Sequence, residues 1–267
     1  SGTFDYLSTH FVVTTSRAKE ANPTPEFLAK ASFALPVELG RRLRAMQRQI
    51  DGFPAFAGKT HIAFTEWLFA GRNGSSLPSP SYNNMGGAID AAGFFNMLMR
   101  NADVAPVSDM TGIVEFAGIW KKRGRAYGAP SYYAFRMYSN ADATRPVEVD
   151  TQAGTYDVHN GITRLPEISG VSYLDVVAAL NDASNKLTLF CVNRRLNRDI
   201  DAEISLDNFT PRDIARVNTL EAGSIYDTNS ETRPEAVTPT ESTFPVKGAK
   251  FSYRFPPSSV TVIELKK

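Results

Sequence analysis

The chain is expected to fold as an α/β segment of three β/α units followed by an all-β segment arranged as an antiparallel sandwich. Three observations carry this. Apolar strand-like runs alternate with helical periodicity over about the first 120 residues. The texture changes near Gly124, where Lys121-Lys122-Arg123-Gly124 and Gly128-Ala129-Pro130 punctuate the chain. From about residue 145 onward, short alternating runs are separated by turn residues. Strands that alternate with helices imply a parallel sheet with crossover connections. Three units are too few to close a barrel of eight. Residues 1–124 are therefore expected to be part of a barrel, residues 125–267 a sandwich, and the chain to begin inside a longer protein.

The elements follow in order. Residues 3–13 read as a buried strand. After a loop with Pro23 and Pro25, residues 26–50 read as helix, broken or restarted at Pro36. Leu39, Leu43, Met46 and Ile50 recur at spacings of four, three and four, which marks one apolar stripe. Arg41, Arg42, Arg44 and Arg48 read as its solvated face. A strand over 59–67, a polar loop over 71–84 and a helix over 85–101 come next, with Ile89, Phe94, Met97 and Leu98 facing inward. Residues 103–107 read as a short strand, and Ile113, Val114, Phe116, Ile119 and Trp120 as a helical stretch. In the second segment, strands are expected at 173–180, 187–193, 251–255 and 259–265, with a hairpin loop over 181–185. Phe190, Val192, Val260 and Val262 should lie inside the sandwich, and Cys191 on the opposite side of its strand.

Composition narrows the function. Hydrophobic residues make up 42% and charged residues 21%, which suits a packed globular chain. The net charge of +1 provides no electrostatic footprint for nucleic acid or an anionic membrane. No apolar run approaches the roughly 18 residues of a spanning helix. A single cysteine, Cys191, excludes an internal disulfide and a cysteine metal site. The three histidines, at 10, 61 and 159, are not spaced as a metal pair, and no metal or organic cofactor is expected.

Glu66 stands out. It ends a strand that is otherwise apolar (Ile62, Ala63, Phe64), and Trp67 follows it. Strand C-termini line the active site of a β/α barrel. A carboxylate there can attack an anomeric carbon, and an indole beside it can pack on a sugar face. A structural salt bridge at a strand end is the competing reading. His10 is a second polar residue at a strand end, either an orienting imidazole or a satisfied core histidine. Asp109 reads as a helix cap and Glu115 as a helix-surface or interface residue. The glycines at 71, 74, 86 and 87 precede no Gly-Lys-Ser/Thr, so they form no phosphate loop. Without a Gly-x-Ser-x-Gly there is no nucleophile elbow.

With these residues in place, the chain resembles glycoside hydrolase family 51, the α-L-arabinofuranosidases, over nearly its whole length. Phe4-Asp-Tyr-Leu-Ser-Thr-His10 resembles the family's sixth barrel strand with its active-site histidine. His61-Ile-Ala-Phe-Thr-Glu-Trp67 resembles the seventh, which ends in Asp-Glu-Trp with the glutamate as nucleophile. Phe94-Phe-Asn-Met-Leu-Met-Arg-Asn-Ala-Asp103 is similar to the approach to strand eight, and Ser131-Tyr-Tyr-Ala-Phe-Arg-Met-Tyr138 to the exit from the barrel. Leu187 to Asn193 and Pro256-Pro-Ser-Ser-Val-Thr-Val-Ile-Glu-Leu265 are similar to the C-terminal sandwich. The sequence departs from the family at Thr65, where aspartate is common, at Val12, where tyrosine is common, and at Gly112, near a common glutamine. It also contains no Asn-Glu dipeptide, the family's mark of the acid/base.

The resemblance implies the last three β/α units of a (β/α)8 TIM barrel and a jelly-roll-like β-sandwich. It implies retaining hydrolysis of terminal α-L-arabinofuranosyl residues from arabinan or arabinoxylan. Glu66 would be the nucleophile, with His10 and Trp67 binding substrate. The acid would come from a complementary N-terminal barrel fragment of the same enzyme, and the assembled enzyme would be a homo-oligomer. That fragment is also expected to cover Leu39, Leu43, Met46 and Phe94. The same mechanism on a xyloside or β-glucan, and a non-catalytic sugar-binding or structural module, are the alternatives.

Overall fold

The computed structural model describes residues 4–13, 18–69, 77–112, 114–162 and 164–267. Residues 1–3, the first part of the polar loop with Gly71 and Gly74, and Ile113 lie outside the described residues. The chain opens with β1 (Tyr6–Val13), α1 (Pro25–Asp51), β2 (His61–Phe69), α2 (Met85–Arg100) and β3 (Val107–Met110). The three strands form a parallel sheet in the order β1-β2-β3. Both helices pack on one face of it. Phe11, Val13, Ile62, Phe64 and Trp67 from the strands meet Leu35, Leu39, Leu43, Phe94 and Met97 from the helices in one core.

Local chemistry sets the helix ends. Thr24 caps α1 by accepting a hydrogen bond from the Phe27 amide, and Pro25 occupies the first turn, where its missing N–H costs nothing. Asn84 caps α2 in the same way through the Gly87 amide. A Cβ on Gly87 would lie 2.0 Å from the Ser81 carbonyl oxygen, so only glycine fits this turn.

The expected break at Pro36 does not occur. α1 runs unbroken through it, with Pro36 buried and its ring against Gly93 of α2. The neighbours Phe33, Ala34, Leu35 and Leu39 are all buried, and their burial outweighs the one backbone bond that proline removes. The expectation that Leu39, Leu43, Met46 and Phe94 need another fragment to cover them is also corrected. They pack against the chain's own sheet, three of them under 7% exposed and Met46 partly buried.

The strand expected at 103–107 begins at Val107 instead. The helix expected through residues 113–120 is replaced by a hairpin of β4 (Ile119–Lys122) and β5 (Arg125–Gly128). The third helix, α3 (Pro130–Ser139), comes after the hairpin and packs on α2.

The remaining strands are β6 (Arg145–Val147), β7 (Thr155–Val158), β8 (Ile168–Ser172), β9 (Leu174–Leu180), β10 (Lys186–Asn193), β11 (Ile200–Ser205), β12 (Ile214–Leu220), β13 (Thr240–Pro245), β14 (Lys250–Phe255) and β15 (Ser259–Lys266). Six of them form one antiparallel sheet in the order β13-β12-β15-β10-β9-β6, and β11 pairs with β14. Leu187, Leu189 and Cys191 of β10, with Ile263 and Leu265, pack against Ile200, Ile204 and Phe251 of the β11–β14 pair. Phe190, Val192, Val260 and Val262 are buried, on the opposite face from Cys191 as expected. They do not face the other sheet, however. They face Phe33, Met85, Ile89, Ala134 and Met137 of the three helices.

The helices are thus held between two sheets. A buried ion pair ties these layers together, with Arg194 Nη2 donating to Asp175 on β9 at 2.6 Å and Arg100 of α2 donating to the same carboxylate. Burial pushes the Asp175 pKa up, but the attraction of Arg194 and Arg100 outweighs it and leaves the value below the usual carboxylate range. The β7–β8 hairpin leaves the sandwich altogether. Its Val158, Ile168 and Val171 join the core under α1, and Tyr156 donates to the Lys30 carbonyl at 3.1 Å.

Candidate active site

The second face of the three-stranded sheet carries no layer among the described residues. Tyr6, Val12 and Val107 stand on it 48%, 41% and 39% exposed. His10 and Glu66 lie on the same face near the C-terminal ends of β1 and β2. They are paired in register, with His10 Nδ1 3.2 Å from Glu66 Oε2.

An irregularity in β2 sets this geometry. Thr9 pairs with Phe64 and His10 with Glu66, so Thr65 is an extra residue on β2. Such a bulge breaks the strict alternation of faces. Phe64 and Trp67 both enter the helix-side core, while Thr65 and Glu66 both reach His10 on the open face. Thr65 Oγ1 lies 3.0 Å from His10 Nε2 and 2.6 Å from Ser8 Oγ, and Ser8 Oγ lies 3.4 Å from the same ring nitrogen. The side chains of His10 and Glu66 are 56% and 41% exposed, so water or a ligand can reach both.

Trp67 is placed differently from the expectation. Its indole is only 2% exposed, stacks on Phe94 at 4.7 Å between ring centroids, and donates through Nε1 to Ser108 Oγ at 2.7 Å. It points away from Glu66 because strand neighbours point to opposite faces. In this position it anchors the strand end that carries Glu66 and offers no surface to a sugar.

Asp109 caps no helix, because no helix follows. It is an exposed residue of β3, and its neighbour Ser108 bonds Trp67 on the helix side, which turns Asp109 to the open face beside Glu66. Glu115 sits in an exposed turn with φ 64°, not on a helix. Sequence reasoning missed Ser8 on this face and read Asp109 only as a helix cap. Alternation along β1 from His10 identifies Ser8, whereas the misplaced third helix concealed Asp109.

A concavity of about 1170 Å³ runs between α3 and the helix-side face of β12, β13 and β15, and neither Glu66 nor His10 lines it. Among the described residues the Glu66 site is an open surface. Chemically it offers a carboxylate that can act as nucleophile or base, an imidazole bonded to it, and two hydroxyls behind the imidazole.

This arrangement defines a class, an α/β carboxylate site on one face of a parallel sheet, backed by helices and a β-sandwich. The chain belongs to the α-L-arabinofuranosidase C-terminal domain family, whose model matches residues 71–259. Its fold is that of the C-terminal half of solved α-L-arabinofuranosidases. It superposes on the Thermotoga maritima enzyme, solved as an arabinose complex, with a TM-score of 0.83 at 23% identity, covering 98% of this chain and 53% of that one. The family 51 enzyme of Thermotoga petrophila RKU-1 gives a TM-score of 0.81 at 22% identity with the same coverages. A family 44 xyloglucanase from Paenibacillus polymyxa is more distant, with a TM-score of 0.59 at 14% identity, covering 98% of this chain and 47% of that one. The chain spans about half the length of the solved structures it matches. No curated protein matches it. The similarity supports a glycoside hydrolase module.

Proposed function

We propose that this chain supplies the nucleophile half of a retaining glycoside hydrolase that releases terminal α-L-arabinofuranosyl residues from arabinan and arabinoxylan. The observation that carries the reading is the Glu66 carboxylate. It stands near the C-terminal end of a parallel strand, turned by the bulge at Thr65 to the uncovered face and bonded to His10. A retaining site sets two carboxyl groups about 5–5.5 Å apart, one to attack and one to protonate the leaving oxygen. Glu66 is the attacker. The acid comes from a complementary N-terminal fragment of the same enzyme, whose strands extend the β1-β2-β3 sheet into a (β/α)8 barrel. Residues 1–124 belong to that barrel and residues 125–267 to the sandwich, with α3 as the joint. The solved arabinofuranosidases are about twice as long as this chain, which supports a missing half of this kind.

His10 orients Glu66. Trp67, which sequence reasoning cast as a sugar wall, acts from behind the strand by fixing where Glu66 stands. The oxocarbenium-like chemistry needs two carboxyl groups and no cofactor.

The test uses the complete enzyme. Glu66→Ala should reduce turnover by several orders of magnitude, because the covalent step is lost. Azide should restore part of the activity on an activated aryl arabinofuranoside, with inversion. Near-normal turnover of Glu66→Ala without azide would refute the assignment. A panel of aryl glycosides decides between an arabinofuranoside and a xyloside or β-glucan. The xyloglucanase likeness keeps the second substrate class in the panel.

A further inference from the structure

We infer that Ser8 and Thr65 are positioning residues that hold His10 in the tautomer with its proton on Nδ1, so that the imidazole donates a hydrogen bond to Glu66. The functional part of this inference rests on Glu66 being the nucleophile.

The argument is a count of protons. An ionised carboxylate only accepts hydrogen bonds. With His10 Nδ1 3.2 Å from Glu66 Oε2, the contact is favourable when Nδ1 carries a proton and repulsive when it presents a lone pair. A neutral imidazole protonated at Nδ1 leaves Nε2 as an acceptor that needs a donor. Thr65 Oγ1 stands 3.0 Å from Nε2 and can supply it. The Thr65 oxygen then accepts from Ser8 Oγ at 2.6 Å. Two hydroxyl protons and one imidazole proton thus make three hydrogen bonds, all directed toward the carboxylate. Run in the opposite direction, the same chain would aim the Nδ1 lone pair at Glu66.

The bulge makes the chain possible. In a regular strand Thr65 would face the helices when Glu66 faces His10, and no side chain of β2 could reach Nε2. By alternation, the other titratable side chains on this face are Tyr6 and His61 toward the start of the strands and Asp109 on β3. No hydrogen bond or ion pair joins any of them to His10 among the described residues.

The experiment labels the histidine ring nitrogens of the complete enzyme with ¹⁵N and reads the His10 tautomer from long-range ¹H–¹⁵N spectra. The His10 signals are assigned by their loss in His10→Asn. The wild type should show a protonated Nδ1 and an unprotonated Nε2. T65V removes the donor, so it should shift the proton toward Nε2 and lower kcat/KM about tenfold, the scale of one hydrogen bond. T65S keeps the hydroxyl and should restore both readouts. T65D replaces a donor with a group that only accepts, and should place a proton on Nε2 as well. A wild-type His10 protonated only at Nε2, a T65V spectrum identical to wild type, or a T65S variant as impaired as T65V would overturn the inference. The two readings fail separately. If Glu66→Ala stays active, the nucleophile assignment falls while the tautomer result stands on its own. If Glu66→Ala is dead but T65V changes neither spectrum nor kinetics, only the present inference falls.

Discussion

The two main sheets of this molecule differ in what covers them. The six-stranded sheet is covered on both faces over its central strands, by the β11–β14 pair on one side and the helices on the other, and β10 is buried at every residue. Among the described residues the β1-β2-β3 sheet is covered on one face only, and the other presents Tyr6, Val12 and Val107 together with His10 and Glu66. A sheet closed on both sides is a finished structural object. The second sheet instead gathers apolar, imidazole and carboxylate side chains on a face that no described residue covers. The helix-side core and the candidate site therefore lie on opposite sides of a single three-stranded layer.

That contrast can be broken or sharpened by experiment. The largest effect should come from the open face. Residues 1–267 purified alone should show no glycosidase activity, and addition of the complementary half should restore it by several orders of magnitude. A fully active monomer of this chain would show that the acid lies within it. Asp109→Asn then sharpens the point. If the acid lies elsewhere, turnover of the complete enzyme should stay within a few-fold of wild type, whereas a collapse would mark Asp109 as the missing carboxyl.

Next in size are substitutions in the closed layers. Phe190→Ala should cost about 3–5 kcal/mol by leaving a cavity between sheet and helices. Asp175→Ala should cost a similar 3–5 kcal/mol, because it removes the ion-pair partner of the 3%-exposed Arg194. Equilibrium urea unfolding measures both, and a loss under 1 kcal/mol in either would show the interface to be looser than its packing implies. The Asp175 contribution has a definite pH signature. Its folded pKa lies below the ordinary 3.8, so its stabilisation is present above that value and is lost as pH falls through the lower folded value.

Asp90 carries the opposite sign. It is buried on α2, accepts one hydrogen bond from Ser32, and its Oδ1 has no partner. Burial pushes its pKa well above 3.8 against the opposing effects of Ser32 and Arg194, so its contribution is present at low pH and lost as pH rises through the folded value. Asp90→Asn should therefore melt no lower than wild type, with an advantage that grows with pH. A lower melting temperature for the variant at every pH would contradict this.

The smallest effect should be Val12→Thr on the open face. In this chain alone it should change stability by no more than about 0.5 kcal/mol, as at ordinary surface positions. In the complete enzyme it should cost more if that face is covered.

Sequence alone determined the elements whose signal is local. The stripe of Leu39 and Leu43 and the alternation that separates Cys191 from Phe190 and Val192 each act within a few residues, so periodicity and composition reveal them. Glu66 and His10 stood out in the sequence as polar groups in strand-like runs, and the structure pairs them in register.

Tertiary structure decided what depends on a neighbour across space. Helix α1 continues through Pro36 because α2 packs against it. The helical reading of 113–120 fails because residues 119–122 pair with 125–128 instead. The role of Trp67 reverses because the extra residue at Thr65 turns Glu66 to the open face and so places Trp67 in the helix-side core, and no periodicity shows which face a partner strand makes the inside. Strand spacing fixes which residues share a face, but only the layer packed against the sheet determines which face is core and which is site.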